Sequence, residues 1–182
     1  MTKKIILKAG EATVYTPGKD VTAAMPELII GAVDGPVGSA FANMMAQSKG
    51  HTAMFAIRDI NQMVRPATMM VPKVTLKDSF TIELFGGVVQ AATADAVLDC
   101  VIGGIIPRDQ ANDLCIVTLV WIDPGVVKEG PALDKADMYR NNYKATKLAI
   151  QRALNDEPSI DELIKNRHTV KHCMWEESWD KP

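Results

Sequence analysis

Ala12, Val14 and Thr16 alternate with Thr13 and Tyr15 until Pro17-Gly18 interrupts the pattern. That predicts one or two short strands over residues 4–16. Glu27 to Val33 reads Glu-Leu-Ile-Ile-Gly-Ala-Val, a short apolar run with β-branched residues, and is expected to be a buried strand. Asp34-Gly35-Pro36 then opens a helix running to about Ser48, with Pro36 at its first position. Its apolar stripe is Phe41, Met44, Met45 and, at the start, Val37. Thr52 to Ile57 is a further strand, and Asn61-Gln62 and Pro66 mark a loop. Thr68 to Leu76 reads as a strand in which Val71, Lys73 and Thr75 share a face. Pro72 inside it argues for an edge or a bulge.

Val88 to Val101 is rich in alanine and predicts a helix closed by Gly103-Gly104. Leu114 to Ile122 is apolar at alternate positions of both parities, so it is expected at the centre of the sheet. A Pro- and Gly-rich loop covers 123–137. From Met138 to Asn155 the spacing of Tyr139, Tyr143, Thr146, Ile150 and Leu154 predicts a long helix. Ser159 and Glu162 have capping-box spacing at the start of a short final helix. The order indicates an α+β fold: a mixed sheet with helices packed on one face. With no repeat and no domain-scale linker, one domain is expected over 1–166, followed by an extension over 167–182.

Composition narrows the function classes. The chain has 182 residues, 47% apolar and 23% charged, which suits a globular domain. Its formal charge of −2 gives no basic excess for nucleic acid. No uninterrupted run of about 18 apolar residues points to a membrane span. The first residues, Met-Thr-Lys-Lys-Ile-Ile-Leu-Lys, are too soon charged for a signal-peptide core, so the cytoplasm is the expected compartment. Cys100, Cys115 and Cys173 lack CxxC spacing and imply no disulfide framework. Ten methionines stand beside only three histidines, so imidazole is scarce.

Few residues advertise chemistry. Gly31 to Gly38 is glycine-rich before a helix but lacks both GxGxxG spacing and a P-loop lysine, so it reads as a tight turn. His168, His172 and Cys173 have no evident fourth ligand, so no metal is expected. Trp121, Trp175 and Trp179 read as packing or subunit anchors. Lys73 lies between apolar residues and reads either as a snorkelling edge lysine or as a cation for an anionic or carbonyl ligand. Glu27, opening a buried run, reads either as solvated or as a carboxyl whose pKa burial would raise.

Several longer segments together carry a family resemblance. They are Leu28 to Gly31, Gly35 to Asn43, Gln47 to Thr52, Pro66 to Thr75, Gly104 to Pro107, and Tyr143 to Ala153. On these the sequence resembles the formaldehyde-activating enzyme family, from Gly10 to about His172. The resemblance implies a ribosomal-protein-S5-domain-2-like fold and a homopentamer with pterin bound between subunits. It also implies condensation of formaldehyde with tetrahydromethanopterin, to the methylene adduct and water, without a metal. The family's acid is a histidine in a His-x-Asp pair; the matching residues here are Met25 and Glu27. A thioether cannot donate a proton. The family's pterin contacts map onto Glu27, Phe55 (usually leucine), Lys73, Thr75 and Gln90. Three expectations follow: an enzyme of altered efficiency with Glu27, or alternatively His51, as acid; a non-catalytic binder of the pterin or its adduct; or an oligomeric paralogue with no ligand.

Overall fold

The structure is a computed structural model that describes residues 4–47 and 53–173. A five-stranded sheet has the order β1-β2-β7-β6-β3. β1 (Lys8–Glu11) pairs antiparallel with β2 (Glu27–Ala32), and β2 antiparallel with β7 (Leu114–Val120). β6 (Ala67–Pro72) runs parallel to β7, and β3 (Met54–Phe55) closes the sheet antiparallel to β6. The sheet is therefore mixed, and β7 is central. Every residue of β7 except Leu119 is buried.

Helices cover both faces, which corrects the expectation of one covered face. The cause is in β2 and β7, which present apolar side chains in both directions and need cover on both. On one side Leu28, Ile30, Met70, Leu114, Ile116 and Val120 meet the main core. There α3 (Gln90–Ile102) and α5 (Lys135–Asn155) pack against each other and over the sheet. On the other side α1 (Pro36–Gln47) lies against β2 and β7, burying Val37. Met45, placed on the apolar stripe from the sequence, is 49% exposed, because α1 needs only a narrow contact with this face.

The α5–β1 contact depends on small residues. A Cβ on Gly10 would stand 2.3 Å from the Ala149 carbonyl oxygen and 2.8 Å from Ala153 Cβ. Ala145, Ala149 and Ala153 form the buried line of α5, so helix and strand approach backbone to backbone. Tyr139 and Tyr143 turn instead toward α3, where their hydroxyls donate to Asp95 and Asp99, each at 2.6 Å.

Several element boundaries differ from expectation. Residues 4–16 hold one strand, followed by an isolated bridge between Val14 and Ala24. The run to Ile57 is split at Ala56: β3 joins the main sheet, and β4 (Ile57–Asp59) forms a hairpin with β5 (Gln62–Met63). Asn61, at φ 62°, makes the turn that looked like a plain loop. β6 stops at Pro72 rather than Leu76, because the backbone bends at Lys73 and Val74. β3 reaches only Met69 and Met70, so that end of β6 is unpaired on one side.

The predicted helix at Val88 begins nine residues earlier. α2 (Ser79–Leu84) is capped by Asp78, whose side chain accepts from the Thr81 N–H. A π-helical turn at Phe85–Val89 joins it to α3, so Gly86-Gly87 loosens the helix without ending it. The combined helix, Ser79–Ile102, is long and apolar enough to cross a membrane by length and composition alone. Here Ala92, Ala94, Ala96, Val97 and Cys100 are buried in the protein core. α4 (Val126–Glu129) interrupts the expected loop, and α5, capped by Asp134, starts three residues before the predicted Met138. α6 (Ile160–Asn166) carries the expected capping box of Ser159 and Glu162.

Candidate functional site

The sheet face shared with α1 is the less completely covered one. Its register aligns Glu27 with Leu119 and Val71, and Ile29 with Val117, Met69 and Phe55. Leu119 is 36% exposed, and the Glu27 side chain 57%. A groove of about 600 Å³ opens here, lined by Glu27, Ile29, Ala40, Met44, Val117 and Leu119 among others. Such a surface is mostly apolar with a few polar groups at its edge, as small-molecule sites commonly are.

Three of the singled-out positions form one cluster at the end of this face. The Lys73 ammonium donates to the Met25 carbonyl oxygen at 2.9 Å and to Glu27 Oε1 at 2.5 Å. The Lys73 side chain is 18% exposed. Its position does not come from an extended strand, because the backbone bends after Pro72. One further rung, from the Lys73 N–H to the Val120 carbonyl at 2.8 Å, fixes the residue at the strand end. Lys73 and Thr75 line a smaller hollow of about 320 Å³ with Val71 and Ile82. Thr75 lies in irregular backbone, so a common strand face does not explain its nearness to Lys73.

Glu27, for which burial was one of two readings, is not buried by this chain. The chain's own fold leaves the carboxyl open and gives it an ammonium partner. Met25 is half-buried directly before β2, and its carbonyl, not its thioether, is what Lys73 holds.

Phe55 and Gln90 form a second group. Gln90, the first residue of α3, donates from Nε2 to the Phe55 carbonyl at 2.7 Å. The Phe55 ring stacks on Phe41 of α1, with centroids 5.7 Å apart and planes 24° apart. β3 lies three strands from β2 in the sheet order, about 14 Å at ordinary strand spacing. The structure thus pairs Phe55 with Gln90 and joins Met25, Glu27 and Lys73, but keeps the two groups apart within one chain.

Sequence reasoning missed what holds Met25 in place. Asp137, on the first turn of α5, has a side chain 4% exposed. It accepts from Thr22 Oγ1 at 2.6 Å, Thr16 Oγ1 at 2.9 Å, Arg140 at 3.0 Å and Asn141 at 3.2 Å. Asn141 also donates to the Thr22 carbonyl at 3.1 Å. These bonds tie the segment just before Met25 to the helix. The Thr22 hydroxyl, more than any other group, holds the Asp137 carboxyl below the usual carboxylate range, against the cost of burial. The Asp137–Asn141 pair has helical spacing, but nothing in the sequence links it to two threonines more than a hundred residues earlier. His51, Trp175 and Trp179 lie outside the described residues. His168, His172 and Cys173 are exposed, and among the described residues no group of three or more His, Cys, Asp or Glu could hold a metal.

Comparison with known proteins adds to this geometry. The family described as formaldehyde-activating enzyme (Fae) matches residues 9–175. A 5,6,7,8-tetrahydromethanopterin hydro-lyase of Methanosarcina barkeri is 38% identical over 172 residues, 93% of this chain and 92% of that protein. Bifunctional Fae/Hps enzymes of Methanosarcina mazei and Archaeoglobus fulgidus are 40% and 39% identical, over 97% and 96% of this chain. The chain spans less than half of those two relatives, 44% and 43% of their length.

Proposed function

Because the chain belongs to the formaldehyde-activating enzyme family, we propose that it binds a tetrahydromethanopterin-like pterin and condenses it with formaldehyde, at a rate reduced by Met25. The similarity to a tetrahydromethanopterin hydro-lyase along nearly its full length supports the substrate class and the lyase chemistry. The observation that carries the reading to a site is the Lys73 cluster. Met25 and Glu27 meet Lys73, 46 positions beyond Glu27, beside an open apolar groove.

The reaction sets what this site must do. A pterin amine adds to formaldehyde and gives a carbinolamine. The hydroxyl leaves as water, the resulting iminium is attacked by the second amine, and the ring closes. Holding both amines near one carbon lowers the entropic part of the barrier. Apolar walls such as Ile29, Val117 and Leu119 suit the pterin rings, and Glu27, Lys73 and Thr75 supply polar contacts that orient them. Phe55 and Gln90 complete the ligand surface from a neighbouring subunit in a homo-oligomer, a pentamer in the resembling family. The exposed apolar strip beside α1 supports such an assembly, which we place in the cytoplasm.

A second reading rests on one residue. Met25 replaces the imidazole, and a positioned general acid contributes about 10²–10⁴-fold. A chain that binds the pterin or its adduct without accelerating the condensation would still use the same groove. Stopped-flow measurement of condensation, against a blank without protein, separates the two readings. Acceleration supports the enzyme. Calorimetric pterin binding without acceleration supports the carrier, and no binding at all contradicts both.

A further inference from the structure

We propose that Lys73 is the proton donor by which this chain expels water from the carbinolamine, in place of the absent imidazole. The inference rests on the proposed condensation and names the group that drives its acid step.

Glu27 is poorly arranged for that task. Its Oε1 accepts a 2.5 Å charge-assisted bond, and its side chain stands 57% in solvent. A carboxylate that accepts from an ammonium has no proton to give. Lys73 carries three N–H donors. Two are directed at the Met25 carbonyl and Glu27 Oε1, and no third partner is found among the described residues. The ammonium is bonded to the backbone of the very residue that replaces the family's acid. At 18% exposure it is largely shielded, yet it lines an open hollow.

The step balances. The carbinolamine hydroxyl takes one proton from the Lys73 ammonium as its C–O bond breaks, releasing water and leaving an iminium and a neutral amine. The second pterin amine attacks the iminium carbon, forming the C–N bond. The proton that this nitrogen sheds returns to Lys73, directly or through the adjacent Glu27 carboxylate. The sum is one formaldehyde and two N–H groups converted to an N–CH2–N bridge and one water.

The test compares protein-dependent condensation of formaldehyde with tetrahydromethanopterin in wild type, K73R, K73M, E27Q, M25H and M25H/K73M. Pterin affinity is read in parallel by calorimetry. K73R keeps the charge and the hydrogen-bonding reach but gives up a proton far less readily. The expected results are a loss of about 10²-fold in K73R and K73M, a smaller loss in E27Q, and a much smaller cost of K73M in the M25H background than in wild type. Three results overturn the assignment: K73R retaining the wild-type rate, E27Q falling further than K73R, or K73M costing as much in the M25H background as in wild type. The first makes Lys73 an electrostatic anchor, the second moves the donor to Glu27, and the third confines Lys73 to binding alone. A wild type no faster than the blank also overturns it; if M25H is then fast, the proposed pterin chemistry stands. If M25H neither binds nor accelerates, the proposed function itself falls.

Discussion

Met25 and Lys73 are 48 positions apart, and their contact ties the backbone before β2 to the end of β6. Lys73 holds the backbone at position 25, so the side chain there is open to change without moving Glu27. M25H is therefore expected to fold normally and to raise the condensation rate, by as much as 10²-fold if imidazole regains the acid role. Stopped-flow kinetics checks the rate, and an unchanged thermal midpoint checks the fold. Phe55 gives a second residue-scale expectation. Its ring stacks on Phe41, so F55L should lose that stack and loosen the Gln90 edge of the sheet. A thermal midpoint lowered by the equivalent of about 1 kcal/mol would register it.

At the scale of elements, the contacts that matter most join pieces with no local signal. Asp137 is the clearest case. Its carboxyl has a lowered pKa in the folded chain, so the stability it contributes is present above its unfolded value near pH 4 and disappears as pH falls through the lower folded value. D137A should cost about 2–3 kcal/mol at neutral pH, because Thr22 and Asn141 lose a buried acceptor. That deficit relative to wild type should shrink in acid unfolding experiments below about pH 4. Tyr139 and Tyr143 carry the opposite sign. Hydrogen bonds to Asp95 and Asp99, followed by burial, push both phenols up to about 12. Their contribution is full below pH 10 and lost as pH rises toward 12. Alkaline denaturation of the double Tyr→Phe variant should accordingly be flatter than wild type over that range. Two glycines separate close approach from simple freedom. G10A drives a Cβ into the α5 backbone and should destabilise by several kcal/mol, whereas a Cβ on Gly87 meets nothing within 4 Å. G87A should stabilise the helix by about 0.5–1 kcal/mol, measured by chemical denaturation.

For the whole molecule, the mixed sheet was legible because β2 and β7 are continuous apolar runs, and continuous runs mark interior strands. The same runs imply two covered faces, which the weak stripe of α1 obscured: only Val37 is deeply buried, and the remaining stripe is partly open. The Ser79–Ile102 helix starts before the alanine-rich run that predicted it, and Gly86-Gly87 lie in the π turn that joins its two parts. Of the site, Lys73 and Glu27 could be singled out from the sequence, but their union could not, because it depends on the bend after Pro72 and on strand register. The distance between this cluster and the Phe55–Gln90 pair is a property of the complete sheet.

The most direct test of the account is the rate of formaldehyde–tetrahydromethanopterin condensation in stopped flow, for blank, wild type and M25H under one set of conditions. The account predicts that wild type exceeds the blank and that M25H exceeds wild type. A wild type and an M25H variant that both match the blank, with no pterin bound by either, would contradict it.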